Sequence, residues 1–128
     1  MKVAFSLYDF VSVDGKSVIA VCRRGLSKRS QGILDSKLNM LAISGMSLPP
    51  KLLVGPINKT GHIYKLRINA DVMLRPMLCR GPFDMDAEFT LLAGAVEVQG
   101  KLLPSPQRAM ENRNILLADH ERRISHAW

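Results

Sequence analysis

The residues in this chain with the most chemistry to offer are cations and one histidine, His62. His62 heads a run, HIYKLRIN (62–69), that also carries Lys65 and Arg67. Side chains two apart on a strand share a face, so Lys65 and Arg67 would present two fixed positive charges together. An imidazole titrates near neutrality and can serve as acid or base at physiological pH. Arg75 lies on the next strand-like run, and Lys101 follows Gly100 near the end of a third. A second group, Arg23, Arg24, Lys28 and Arg29, occupies one short helical stretch. Charges of this kind hold polyanion backbones through phosphate contacts that give affinity without sequence choice. Blander uses stay open: Lys65 and Arg67 would equally keep a sheet face soluble, and Arg75 also fits a structural salt bridge. The helical cluster also fits a hairpin surface that a partner protein covers.

The positive charge is unevenly placed. Eighteen Lys and Arg against eleven Asp and Glu give a net +7 over 128 residues. From Gly15 to Arg67 there are ten basic residues and a single acid, Asp35, whereas the remainder is slightly acidic. So basic a segment points to nucleic acid, an acidic protein or an anionic surface. No run of eighteen apolar residues exists to cross a bilayer as a helix, and no secretory leader is recognisable, so a cytoplasmic protein with no membrane partner is expected. Cys22 and Cys79 stand far apart without a CxxC pair, and with three scattered histidines they make no zinc pattern. Two reduced thiols, no metal and no cofactor are expected.

These residues need elements to hold them. Residues 3 to 13 read as a strand. Ser17 caps a short helix to Arg24 that Gly25 ends, and Ser27 caps a longer one to Ser44 that Gly45 ends. In the longer helix Leu34, Leu38 and Leu41 recur at helical spacing, widened by Ile33 and Ala42. Residues 46 to 61, with three prolines and two glycines, read as a loop. Three strands follow, over 62–69, 72–80 and 88–98. Pro76 demotes part of the second to an edge or bulge, and Gly94 marks a bulge or close approach in the third. Pro104 and Pro106 suit the first turn of a last helix to about Arg123, with Met110, Leu117 and Ile124 as its apolar stripe. One α+β domain over 1–128 is predicted: an N-terminal strand and an antiparallel meander packed on a helical hairpin and a C-terminal helix.

Three stretches carry a family likeness. The first is Leu26-Ser27-Lys28-Arg29 with a helix ending Leu38-Asn39-Met40-Leu41, then Gly45 and a Leu-Pro-Pro loop. The second is Ile63-Tyr64-Lys65-Leu66-Arg67-Ile68, followed by Leu74-Arg75-Pro76-Met77. The third is Phe89-Thr90-Leu91-Leu92, then Gly100-Lys101, a proline turn and an Arg-bearing helix from near Arg108. In this order and spacing, over roughly Gly15 to Arg123, the chain resembles the RelE/ParE superfamily of toxin–antitoxin toxins, in particular its phage-derived, HigB-like branch.

The resemblance implies a small RelE-like toxin domain paired with an antitoxin, often a helix-turn-helix protein. In the RelE and HigB branches the activity is ribosome-dependent cleavage of mRNA by an endoribonuclease that needs no metal. In the ParE branch the target is DNA gyrase. A non-catalytic phage or prophage binding module on the same fold is a third class. For cleavage, the resemblance assigns Arg75 to the charge of the scissile phosphate and Lys65 to phosphate positioning or proton transfer. Lys101 stands where relatives carry a run of two or more cations, and His62 is an additional acid or base. Arg67 matches a widely shared arginine. Relatives also often keep a C-terminal tyrosine or histidine; here Tyr8 and Tyr64 lie elsewhere, and His120, His126 and Trp128 are the groups available.

Overall fold

The computed structural model describes residues 3–127, so Trp128 lies outside the described residues. The fold is α+β, with three α-helices and two sheets among those residues. Strand β1 (Ser6–Phe10) leads into helix α1 (Val18–Arg24) and helix α2 (Lys28–Ser44). The serines cap as expected: Ser17 accepts from the Ala20 amide and Ser27 from the Ser30 amide. Gly45 ends α2 at φ +54°, and a Cβ there would collide with the Phe5 ring. The predicted stripe of α2 is the buried one, with Leu34, Leu38, Leu41 and Ala42 inside.

The strands are shorter and more numerous than the sequence suggests. The proline-rich segment contributes β2 (Leu53–Val54). The 62–69 run divides into β3 (Tyr64–Leu66) and β4 (Ile68–Asn69), and the 72–80 run into β5 (Met73–Leu74) and β6 (Met77–Arg80). The 88–98 run divides into β7 (Glu88–Ala93) and β8 (Val96–Val98). Each break is a corner at which the chain leaves one sheet for the other. Pro76, which cannot donate a ladder bond, sits at the second corner, and Gly94 sits at the third. A Cβ on Gly94 would lie 2.4 Å from the Cys22 Cβ, so its bareness lets α1 lie against the end of β7. After Gln99-Gly100, both at positive φ as a two-residue hairpin turn requires, β9 (Lys101–Leu103) returns along β8.

Helix α3 (Pro106–Ala118) ends five residues before the predicted limit, and β10 (Arg123–Ser125) follows it. The larger sheet runs β10-β1-β7-β6-β3-β2 and the smaller β4-β5-β8-β9. β1 is parallel to β7 and lies between it and β10, so the larger sheet is mixed rather than a simple meander. One core joins α1 and α2 to the sheet through Ile19, Leu34, Leu38, Leu78, Phe89 and Leu91. A second lies under α3, where Ala109 and Leu116 meet Phe10, Met77, Cys79 and Leu92.

The stripe of α3 is corrected too. Ala109, Asn112 and Leu116 are buried, whereas Leu117 and Ile124 are largely exposed. The cause is a β-bulge between Met77 and Leu78, which leaves Leu92 between two registered pairs. The freed Leu92 carbonyl accepts from Asn112 Nδ2 at 2.8 Å, and small Ala109 permits the close approach.

Candidate functional site

The predicted cations separate into different environments. Arg75 is the largest correction. Its side chain has no exposed surface, and it sits where the strands pass from one sheet to the other. Nη1 donates to the carbonyls of Leu74 (2.7 Å) and Ile68 (3.1 Å), Nε to Glu97 Oε1 (3.1 Å) and Nη2 to Asn69 Oδ1 (3.4 Å). Its own amide donates to the Ala95 carbonyl at 2.7 Å. One guanidinium thus ties together β4, β5 and β8. A planar fork with five donors suits that task, and a buried cation requires such a set of acceptors. Arg75 stands nowhere that a phosphate reaches it.

Two of the helical cations are also engaged. Arg23 holds Asp35 bidentately, Nε to Oδ1 at 2.9 Å and Nη2 to Oδ2 at 2.7 Å, and so braces α1 against α2. Arg29 meets Asp71 at 2.8 Å. Asp71 also accepts from the Ser27 hydroxyl, the main cause holding its carboxyl below the usual range, with Ser30 and Arg29 adding to it. Arg24 and Lys28 are exposed and make no ion pair among the described residues. Arg67 is exposed at the corner between β3 and β4, where its amide donates to the Leu52 carbonyl. Lys101 is exposed beside the hairpin turn of the smaller sheet, away from the strand that carries Lys65. Lys65 is half-buried opposite Met77, on the sheet face that α3 covers.

His62 finds different company. Tyr64 pairs with Leu78 in the β3–β6 ladder, and two further residues along that register bring His62 beside Arg80. Together with Arg113 of α3, Gly61 and Met85, these residues line a cavity of about 150 Å³. Arg80 is partly committed, donating to the Met85 carbonyl at 3.2 Å and meeting Asp86 at 3.5 Å. Arg113 keeps spare capacity, since its Nε is buried and has no acceptor among the described residues. Burial pushes the nearby Cys79 thiol up to about 11, against the opposing pull of Arg113 and Arg123, so the thiol is neutral and no nucleophile at ordinary pH. Among the described residues no three His, Cys, Asp or Glu side chains gather as metal ligands.

The cavity therefore collects His62, Tyr64, Arg80 and Arg113, and leaves out Lys65, Arg75 and Lys101. Sequence reasoning missed Tyr64, Arg80 and Arg113 as members. The signal for Arg80 is the β3–β6 register, which continued two residues beyond Tyr64 sets it beside His62. The remaining histidines serve elsewhere: His126 Nδ1 lies 2.8 Å from buried Asp9, and exposed His120 packs its ring on Phe83. No family model, curated protein or solved structure matches this chain. No helix among the described residues is long and apolar enough to cross a membrane.

Proposed function

We propose that the chain is a toxin of RelE/HigB type, a metal-independent endoribonuclease acting on mRNA at the ribosome and restrained by a cognate antitoxin. One observation carries the reading: a histidine, a phenol and two arginines share a cavity of phosphate size, and Arg113 retains a donor without an acceptor. In the proposed reaction, His62 takes the proton from a ribose 2′-hydroxyl, whose oxygen attacks the adjacent phosphorus. The 5′-oxygen leaves and is protonated, giving a cyclic 2′,3′-phosphate and a free 5′-hydroxyl. Arg80 and Arg113 lower the energy of the crowded, doubly negative phosphate through fixed charge. Tyr64 lies beside His62 to stack on a base or return the proton. Lys65, Lys101, Arg67 and Lys28 are left to neighbouring phosphates along the RNA.

Induced expression tests the reading. Wild-type protein should arrest growth with cleaved mRNA, and His62→Ala and Arg113→Ala should each relieve the arrest while remaining soluble. A DNA-damage response with intact mRNA would replace it with gyrase inhibition. The burial of Arg75 favours a second reading, because it removes the arginine that the resemblance assigns to the scissile phosphate. That reading is a binding module without catalysis, for which normal growth, intact mRNA and a stable RNA or protein complex are expected.

A further inference from the structure

A larger concavity of about 470 Å³ lies between α1, the end of β7 and the start of α3, away from the His62 cavity. Its floor is aliphatic: Val18, Val21, Ala93, Gly94 and Pro104. Its rim carries Lys16, Arg24 and Arg108 against a single carboxylate, Asp14. We propose that this groove docks an acidic peptide segment of a partner protein, seating an aliphatic side chain on the floor between carboxylates that meet Arg24 and Arg108.

The lining itself selects that occupant. The rim has an excess of cations, and its internal pairs are loose: Lys16 is 3.9 Å from Asp14 and Arg108 is 3.8 Å from Glu111, all exposed. Arg24 has no ion pair among the described residues, so its charge awaits a carboxylate. Val21 on the floor is 47% exposed, and neighbouring Val13 and Leu103 are 91% and 55% exposed, an apolar cost that a protein partner removes. Asn112 is nine-tenths buried and spends its Nδ2 on Leu92, leaving its Oδ1 to accept from a peptide amide. No lining residue is aromatic, whereas single-stranded nucleic acid is gripped by stacking bases on aromatic rings. The volume falls within the roughly 300–1,000 Å³ of ordinary ligand pockets.

The test uses the full chain and a fluorescein-labelled peptide in which glutamates alternate with leucines. A peptide of the same length with lysines for the glutamates and an oligouridylate serve as comparisons. The acidic peptide should bind and shift the NMR signals of Val18, Val21 and Asn112. The R24E/R108E double variant should weaken it at least about tenfold, since rim charges complement the peptide. Both substituted side chains are exposed, so an unchanged melting curve separates lost binding from lost folding. His62→Ala and Arg113→Ala should leave peptide binding unchanged, which keeps this site distinct from the proposed nuclease. Equal binding of the lysine peptide would overturn the proposal. So would groove shifts produced only by oligouridylate, or no shift at these three residues with millimolar acidic peptide.

Discussion

Arg75 and Arg113 make an instructive pair of environments. Around Arg75, three broken strands offer two carbonyls, a carboxylate and an amide oxygen, and the guanidinium has no contact with solvent. Around Arg113, a cavity holds a histidine and a second arginine, and one of its buried donors meets no acceptor among the described residues. Both are arginines beside strands of the same region, yet one has its bonding needs met by the protein and the other does not. A cation whose acceptors are all internal maintains the fold. A cation with a donor to spare is placed to meet something from outside.

The contrast can be broken most directly at Arg75. Arg75→Ala strands Glu97 and two carbonyls, and should cost about 3–5 kcal/mol, the range for removing one partner of a buried ion pair. Denaturant unfolding measures this, and a loss below about 1 kcal/mol, typical of a surface pair, would erase the distinction. Such a variant should also abolish any toxicity, but by unfolding, which a circular dichroism melt would reveal.

The corner between β7 and β8 can be stressed through Gly94→Ala. The new methyl would stand 2.4 Å from the Cys22 Cβ, and overpacking of this kind costs about 1–3 kcal/mol. Chemical denaturation should register that loss, whereas Gly32→Ala, which meets nothing within 4 Å, should be neutral or stabilising.

Arg123 lies between the extremes and gives the contrast a pH dependence. It grips Glu88 through Nη1 at 2.6 Å and Nη2 at 3.2 Å, and lies over the rings of Tyr8 and Phe83. Burial pushes the Glu88 carboxyl up, but Arg123 and the amides near Phe83 outweigh it and hold the group below its ordinary 4.5. The unfolded chain then binds the proton more readily, so this stabilisation is present above the ordinary value and is lost as pH falls through the folded one. Melts taken from about pH 6 down to about pH 3 should show a steeper loss for wild type than for Glu88→Gln.

The smallest effects concern the surface. Arg23→Ala removes a bidentate but solvent-facing brace and should cost no more than about 1 kcal/mol. Half-buried Arg113 has an Nε that meets no acceptor among the described residues, so Arg113→Ala should change stability far less than Arg75→Ala while removing RNA cleavage. A large stability loss with unchanged activity would turn Arg113 into a second Arg75.

Much of the architecture was legible because it depends on local chemistry. Ser17, Ser27 and Gly45 mark helix ends by bonds made within a few residues, and the leucines of α2 repeat at the period of the helix itself. Pro76 and Gly94 fell at real breaks in the strands, although not at a mere bulge but at corners between sheets. The rest depended on distant partners. Among the described residues β10 pairs only with β1 and is held by Arg123 on Glu88, a contact across 35 positions that no local pattern displays. The wrong stripe on α3 has the same origin, since two stripes of spacing seven compete and the carbonyl freed on β7 decides between them. For the candidate site, His62 was visible as a residue type. Its meeting with Arg80 and Arg113 required the β3–β6 register and the path of α3.

The position of β1 between β7 and β10 bears on how the molecule is made. Residues 6–10 leave the ribosome before either partner, since their parallel neighbour is 82 positions downstream and their antiparallel neighbour lies beyond residue 122. Pairings that close such long loops form slowly, so during synthesis β1 must wait with both edges bare while the helical hairpin folds beside it. The larger sheet is completed only once residues 123–125 are free to reach the waiting edge of β1.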